Sequence, residues 1–486
     1  MKIRFLFMTA LAVVGLSLPF NNHAAIPLLH EKAIIFENDG QSVDAFEGTL
    51  MVPENRNNKN SRKIPLTYVR FPSTSESPSA PIIYLSGGPG GSGISTAQYP
   101  KFRFPLFMAL REHGDVIALD QRGTGKSRVA PNCKSSQSIP TTSRITHEQV
   151  KQAMRKAANE CVAFWYSQGV DVLGYNSLES AHDLNTLRKH LNAEKITLWG
   201  ISYGSHLALS ALKVMEPYID KIVIASAEGL NQTVKLPAET DAYFERLQTA
   251  INQQPSAAKK YPDIKTMIAR VHKRLEEKPV MLKIPTDNDQ MSDFLFQKVH
   301  MQGMASAMIA DPHRGLPKLL EIYWAIDNGI TSMLPSIVKR AGFDRQTIDF
   351  DVMSFGMDVA SGITEKRMNL VDKQAETSLL GYMLNFPMPH LNKSVKGLDL
   401  GDDFRQAPVS DVPTLLLSGT LDGRTYLPSQ KAAVRGLSNV THVVIENGGH
   451  NVFMLSPDIT EAIKAFLGDK PLQKTHIHFA LPPFVK

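Results

Sequence analysis

The sequence predicts an α/β fold: a mostly parallel, doubly wound sheet carrying an inserted helical cap. Three observations predict it. Short apolar runs alternate with helical patterns from residue 81 to about 225 and resume after 413. One of those runs ends in a glycine cluster, and another turns through Gly-x-Ser-x-Gly into a helix. Between about 230 and 400 the strand signal fades, and helical, Met-rich and polar stretches replace it.

The N-terminus reads as an address. Lys2 and Arg4 precede an apolar run from Phe5 to Leu18, which Pro19 breaks and Ala24-Ala25 follows. This is the layout of a secretory signal over 1–25, with His23 an imperfect fit to the cleavage site. The run is short for a membrane span, and an uncleaved anchor is the alternative. The expected location is therefore secreted or periplasmic, with no stable membrane insertion after cleavage.

Segments 45–52 and 64–71 predict an antiparallel hairpin at the sheet edge, and 72–81 a turn-rich connector. Strands are expected at 81–85, 115–119, 195–199, 221–225, 413–417 and 441–445. Their near-continuous apolar character suits a parallel sheet covered on both faces. Ala181, Leu184, Leu187 and Leu191 recur at helical spacing, and 203–215 reads as a buried helix. The expected organisation is a core from 26–229 and 401–486 with a helical cap over 230–400. Within the cap, Met301 to Met308 and Leu316 to Ile326 read as helical, and the Met stripe as plain core rather than a ligand surface.

With 486 residues the chain can bury one large core and a big insertion. The net charge is +6, or +4 without Lys2 and Arg4, and no dense basic run occurs. That argues against a nucleic-acid partner. The only cysteines are Cys133 and Cys161. An exported chain with two permits one disulfide; two buried thiols are the alternative. Without a matching His cluster they make no zinc site, so no metal is expected.

Gly200-Ile-Ser202-Tyr-Gly204 follows a strand and opens a helix, the context a nucleophile elbow requires. The strand must turn sharply while leaving one hydroxyl exposed. Two glycines relieve crowding at that turn, and the helix N-terminus favours a developing oxyanion. Ser202 is the expected nucleophile and the backbone N–H of Tyr203 one oxyanion donor. The second is expected from Gly88, in the loop Ser86-Gly-Gly-Pro-Gly-Gly-Ser-Gly93. Asp120-Gln-Arg-Gly-Thr-Gly-Lys-Ser127 resembles a phosphate-binding loop, but Asp120 stands where that loop needs glycine. Asp422 and His450 follow the strands at 413–417 and 441–445, in the order Ser, Asp, His of an α/β-hydrolase triad. His206, His442, Asp402 and Asp403 are rivals in poorer positions.

Taken together, Ser-Gly-Gly-Pro-Gly-Gly, Asp-Gln-Arg-Gly-Thr-Gly-Lys-Ser, Gly-Ile-Ser-Tyr-Gly-Ser, Gly-Thr-Leu-Asp-Gly-Arg-Thr and Gly-Gly-His resemble the proline iminopeptidase and tripeptidyl aminopeptidase family. The likeness runs from about 45 to 470 and is weakest in the cap. Cys133 and Cys161 also look like the exported tripeptidyl branch. Many members carry His where this chain has Ser86. The resemblance implies the α/β-hydrolase fold and a cofactor-free serine exopeptidase acting on peptides with a free N-terminus. It implies the triad Ser202, Asp422 and His450. An esterase on the same triad is the alternative. Glu228, just after the strand at 221–225, is the candidate to hold the substrate amine, against a reading as a solvated loop acid.

Overall fold

The computed structural model describes residues 30–38, 40–101, 103–285, 290–345 and 347–485. The expected signal at 1–25 lies outside them. Fourteen strands occur among the described residues: β1 Glu31–Asn38, β2 Gln41–Pro53, β3 Lys63–Phe71, β4 Ile82–Leu85, β5 Val116–Leu119, β6 Cys133–Ser138, β7 Ile196–Ile201, β8 Ile219–Ala225, β9 Val280–Pro285, β10 Met291–Phe296, β11 Thr347–Phe350, β12 Thr414–Gly419, β13 Val440–Glu446 and β14 His476–His478.

Ten of them form one sheet in the order β1-β2-β3-β5-β4-β7-β8-β12-β13-β14. The first three strands run antiparallel, with β3 antiparallel to β5; from β5 to β14 every pairing is parallel. Apolar residues on the parallel strands serve two separate cores. Ile83, Leu85, Leu198, Ile222 and Ile224 face one, while Ile82, Tyr84, Trp199, Val223 and Ala225 face the other. Successive side chains on a strand point to opposite faces, so burial on both sides demands the continuous apolar runs seen in the sequence. Helices His147–Ser167, Ser177–His190 and Tyr203–Met215 cover the first face; Phe104–Leu110 and Pro457–Leu467 cover the second.

A third core belongs to the cap, built from helices Pro237–Asn252, Ile264–Glu277, Lys298–Met308, Leu316–Asp327 and Leu334–Ala341. Met301 and Met304 are buried in it as ordinary core.

The structure departs from the expected organisation in three places. The cap is not purely helical, because β9 and β10 form an antiparallel hairpin inside it. Leu282, Ile284, Phe294 and Phe296 point inward, while Met281 and Met291 are exposed, so the pattern has the period of a half-buried strand. The cap also ends earlier than 400. β11 pairs with β6, and the helix Val352–Ser361 buries Val352, Met353, Phe355 and Met357 in the first core. Finally, the edge strands β1 and β14 escaped the sequence reading; β1 buries only Phe36 and Asn38, and β14 has only three residues.

Candidate active site

Ser202 caps the helix Tyr203–Met215 at φ 54° and ψ −124°. For a residue with a Cβ this backbone is strained, and such strain persists only when its surroundings hold it. The surroundings are the two glycines. A Cβ on Gly200 would lie 2.5 Å from the Gly204 carbonyl oxygen, and one on Gly204 only 2.0 Å from that of Leu85. The Ser202 N–H donates to the Ala225 carbonyl at the end of β8 (3.2 Å), which sets the height of the turn above the sheet.

The glycine-rich loop packs against this turn. A Cβ on Gly87 would lie 2.9 Å from the Ile201 carbonyl oxygen and 3.2 Å from Ser202 Cβ, so glycine is what lets the loop come so near. Gly88 follows at φ 126°, another conformation that favours glycine. Tyr203 is the first residue of its helix, where the backbone N–H has no intrahelical acceptor. These are the placements of the two expected oxyanion donors.

Asp422 and His450 meet. The His450 Nδ1 lies 3.1 Å from both carboxylate oxygens of Asp422. With Nδ1–H donating to the carboxylate, Nε2 is left as the acceptor a general base needs. Asp422 is 1% exposed. Burial pushes its carboxyl up, but the charge and hydrogen bond of His450 and the N–H groups of Thr425 (2.9 Å) and Arg424 (2.8 Å) outweigh that and hold it below the ordinary value. The Thr425 hydroxyl adds a bond of 2.7 Å to the other oxygen.

Two elements steady His450. Ser226, just past the end of β8, donates its hydroxyl to the His450 carbonyl (2.7 Å). From the cap side, the Ala310 carbonyl accepts the His450 N–H (2.9 Å). The segment 309–311 runs against both strand-end loops. A Cβ on Gly423 would lie 2.1 Å from the Ile309 carbonyl oxygen, and one on Gly449 2.5 Å from Asp311 Oδ1.

Glu228 is not a solvated loop acid. It is 6% exposed, and its carboxylate pairs with Lys235 Nζ at 2.5 Å. Burial raises it, but Lys235 and His206 draw it below the ordinary value. Near it stands Asp358, on the helix Val352–Ser361. Its carboxyl is pushed up to about 7, first by burial and then by the charge of Glu228. The same helix lies on the glycine-rich loop, where the Ser354 hydroxyl donates to the Pro89 carbonyl (2.9 Å).

The rival residues take structural places. His206 is buried with Nε2 3.1 Å from the Ser361 hydroxyl, His442 lies in β13 with Nε2 2.9 Å from the Ser418 hydroxyl, and Asp402 pairs with Arg405. Asp120 accepts from the Ile94 and Lys126 N–H groups, so its loop is a structural turn. Cys133 and Cys161 are joined as a disulfide. Among the described residues no group of three His, Cys, Asp or Glu side chains is placed to hold a metal ion, and no helix is long and apolar enough to cross a membrane.

Sequence reasoning missed Ser226, Asp311, Thr425 and Asp358. Only Thr425 had a signal, as the last residue of Gly-Thr-Leu-Asp-Gly-Arg-Thr. The others act through partners far off in the chain.

Comparison with known proteins agrees with this geometry. Residues 80–300 match the family described as alpha/beta hydrolase fold. A protein of Escherichia coli that carries the name hydrolase YuaR is 29% identical over 36% of this chain and 34% of its own length. A tripeptidyl aminopeptidase of Streptomyces coelicolor is 27% identical over 30% and 28%. Serine protease Hip1 of Mycobacterium tuberculosis is 31% identical over 34% and 32%. The matches thus span about a third of the length of these relatives.

Proposed function

We propose that this chain, a hydrolase with the α/β-hydrolase fold, is an exported serine exopeptidase that releases N-terminal residues or short peptides. The observation that carries the reading is the convergence at one sheet end of a strained Ser202, a glycine loop packed on it, and the hydrogen-bonded pair Asp422 and His450. The names of two relatives, a tripeptidyl aminopeptidase and a serine protease, support a peptide substrate.

The chemistry follows from the atoms. Ser202 Oγ attacks the scissile carbonyl carbon while His450 Nε2 takes the hydroxyl proton. The carbonyl electron pair moves onto oxygen, where the N–H groups of Tyr203 and Gly88 receive it. Collapse breaks the C–N bond, and the His450 proton passes to the leaving amine. Water then gives a proton to His450, attacks the acyl-enzyme, and Ser202 recovers its proton as the product acid leaves. Asp422 holds the His450 ring in the working tautomer throughout.

Free-amine selectivity needs a carboxylate near the acyl side. Glu228 is already paired with Lys235, while Asp358 has no ion-pair partner among the described residues and feels Lys235 and Arg424 only as nearby charges. A substrate ammonium beside these two acids balances both.

Hydrolysis of aminoacyl and tripeptidyl amides, free and N-blocked, beside simple esters, tests the reading, with Ser202→Ala as control. Cleavage of free-amine amides that the variant loses is the expected result. Cleavage of esters alone would move the chain to an esterase.

A further inference from the structure

Between cap and core lies a cleft of about 890 Å³, within the range of small-molecule and short-peptide sites. Arg424, two residues past Asp422, is part of its lining; the Arg424 N–H binds the Asp422 carboxylate, and its Nη1 reaches the Ser306 carbonyl of the cap (3.3 Å). The lining also includes Arg144, Lys298 and Arg345, and one carboxylate, that of Glu276. Lys298 pairs with Glu276, so those two charges cancel. Arg144 donates to the backbone carbonyls of Glu276 and Glu277, which carry no formal charge. Among the described residues no carboxylate forms an ion pair with Arg144, Arg345 or Arg424. The exposed Arg144 and Arg345 and the half-buried Arg424 thus bring three guanidinium groups to one cavity, Arg424 also acting on Asp358.

Glu228, Asp358 and Lys235 together leave one negative charge once Asp358 is ionised. Acidic charge thus lies near Tyr203, and the basic groups of the cleft begin at Arg424, whose charge also reaches Asp358. A bound anion in the basic cleft would gain several charge-assisted bonds from forked guanidinium groups.

We infer that this cleft binds an anionic group on the leaving side of the scissile bond, either the C-terminal carboxylate of a short peptide or an acidic side chain. The preferred substrates are then short peptides carrying positive charge at the acyl end and negative charge at the leaving end. This deepens the exopeptidase reading and rests on it, but its test does not require that peptides be cut.

The test is inhibition of ester hydrolysis by N-acetylated trialanine, as the free acid and as the C-terminal amide. Acetylation removes the amine, so the two probes differ only in the charge the cleft is said to read. The free acid is expected to inhibit about tenfold better than the amide, with the advantage shrinking in 0.5 M salt. An acetylated amide with Glu in place of one alanine separates the sources. Inhibition like that of the free acid assigns the cleft to anions in general, and inhibition like that of the neutral amide assigns it to the chain terminus. Arg424→Gln should bring the ratio of acid to amide near one, and Arg424→Lys should keep much of it. A ratio near one in the unaltered protein, at low salt, overturns the inference. If peptides bind by this rule but none is hydrolysed, the exopeptidase reading fails while the anion site stands.

Discussion

Asp311 of the cap holds Asn451 twice, accepting from its backbone N–H at 3.0 Å and from its side-chain amide at 2.9 Å. Asn451 adjoins His450, so a cap residue fixes the loop that carries the proposed base. The cap therefore braces the loop that carries His450.

Asp311→Ala should reveal this. Removing the acceptor leaves a half-buried amide unpaired, a loss of about 1–3 kcal/mol. It also frees the His450 loop, and displacement of a base by about 1 Å can cost roughly a hundredfold in rate. The expectation is a fall of about ten- to a hundredfold in kcat with KM little changed. Asp311→Asn, which keeps one acceptor, should recover part of it. A variant that melts earlier yet keeps its kcat would make Asp311 structural only.

The elbow makes a harsher demand. At Gly204 a methyl group would meet the Leu85 carbonyl oxygen at 2.0 Å, and both partners are backbone in buried elements. Gly204→Ala should cost about 3 kcal/mol or more and abolish labelling of Ser202 by a serine-directed phosphonate. Normal labelling and normal melting would show that the turn can relax.

The disulfide ties the helix His147–Ser167 to β6, and β6 pairs with β11, with Cys133 opposite Phe350. Reduction, or Cys133→Ser with Cys161→Ser, should destabilise the chain by about 2–4 kcal/mol. Loosening should concentrate in β11 and the helix after it. Limited proteolysis with and without reductant checks this; cleavage elsewhere first would place the weak point outside β11.

The legible parts of the sequence were those where chemistry forces the residue. A strand-to-helix turn with an exposed hydroxyl needs Gly200, Ser202 and Gly204, and strands buried on both faces need runs such as Ile82 to Leu85. Asp422 and His450 could be located because each directly follows such a run, and the structure brings them within 3.1 Å. Asp311 and Asp358 had no such marker. Asp311 meets Asn451 across 140 positions, and Asp358 sits in an apolar helix that local pattern assigns to the cap. That helix packs instead on the first core through Met353, Phe355 and Met357. Pairing of β11 with β6 brings it there, and a four-residue strand whose partner lies far earlier leaves little trace in composition.

Asp358 offers a prediction in which stability and selectivity pull apart. Its carboxyl, with an ordinary value of 3.8, is raised to about 7 by burial and by Glu228. The folded chain thus holds this proton more tightly than the unfolded chain does. As pH rises from about 4 to about 7 the unfolded state releases the proton first, and this group's contribution to stability falls; above about 7 both states are ionised and the penalty is constant. Asp358→Asn removes that penalty, so at pH 8 the variant should be more stable by about 0.5–2 kcal/mol, with the gain shrinking toward pH 4. If Asp358 receives the substrate ammonium, the same variant loses its preference for free over N-blocked amides. Glu228→Gln should weaken that preference less, because Lys235 already meets its charge, and should lower stability by leaving Lys235 unpaired. Melting curves at pH 5 and 8, with hydrolysis of paired free and blocked substrates, read both effects. An Asp358→Asn protein that is less stable at pH 8 would show that the carboxylate is held by contacts other than the charges around it, and one that still prefers the free amine would show that Asp358 does not receive the ammonium.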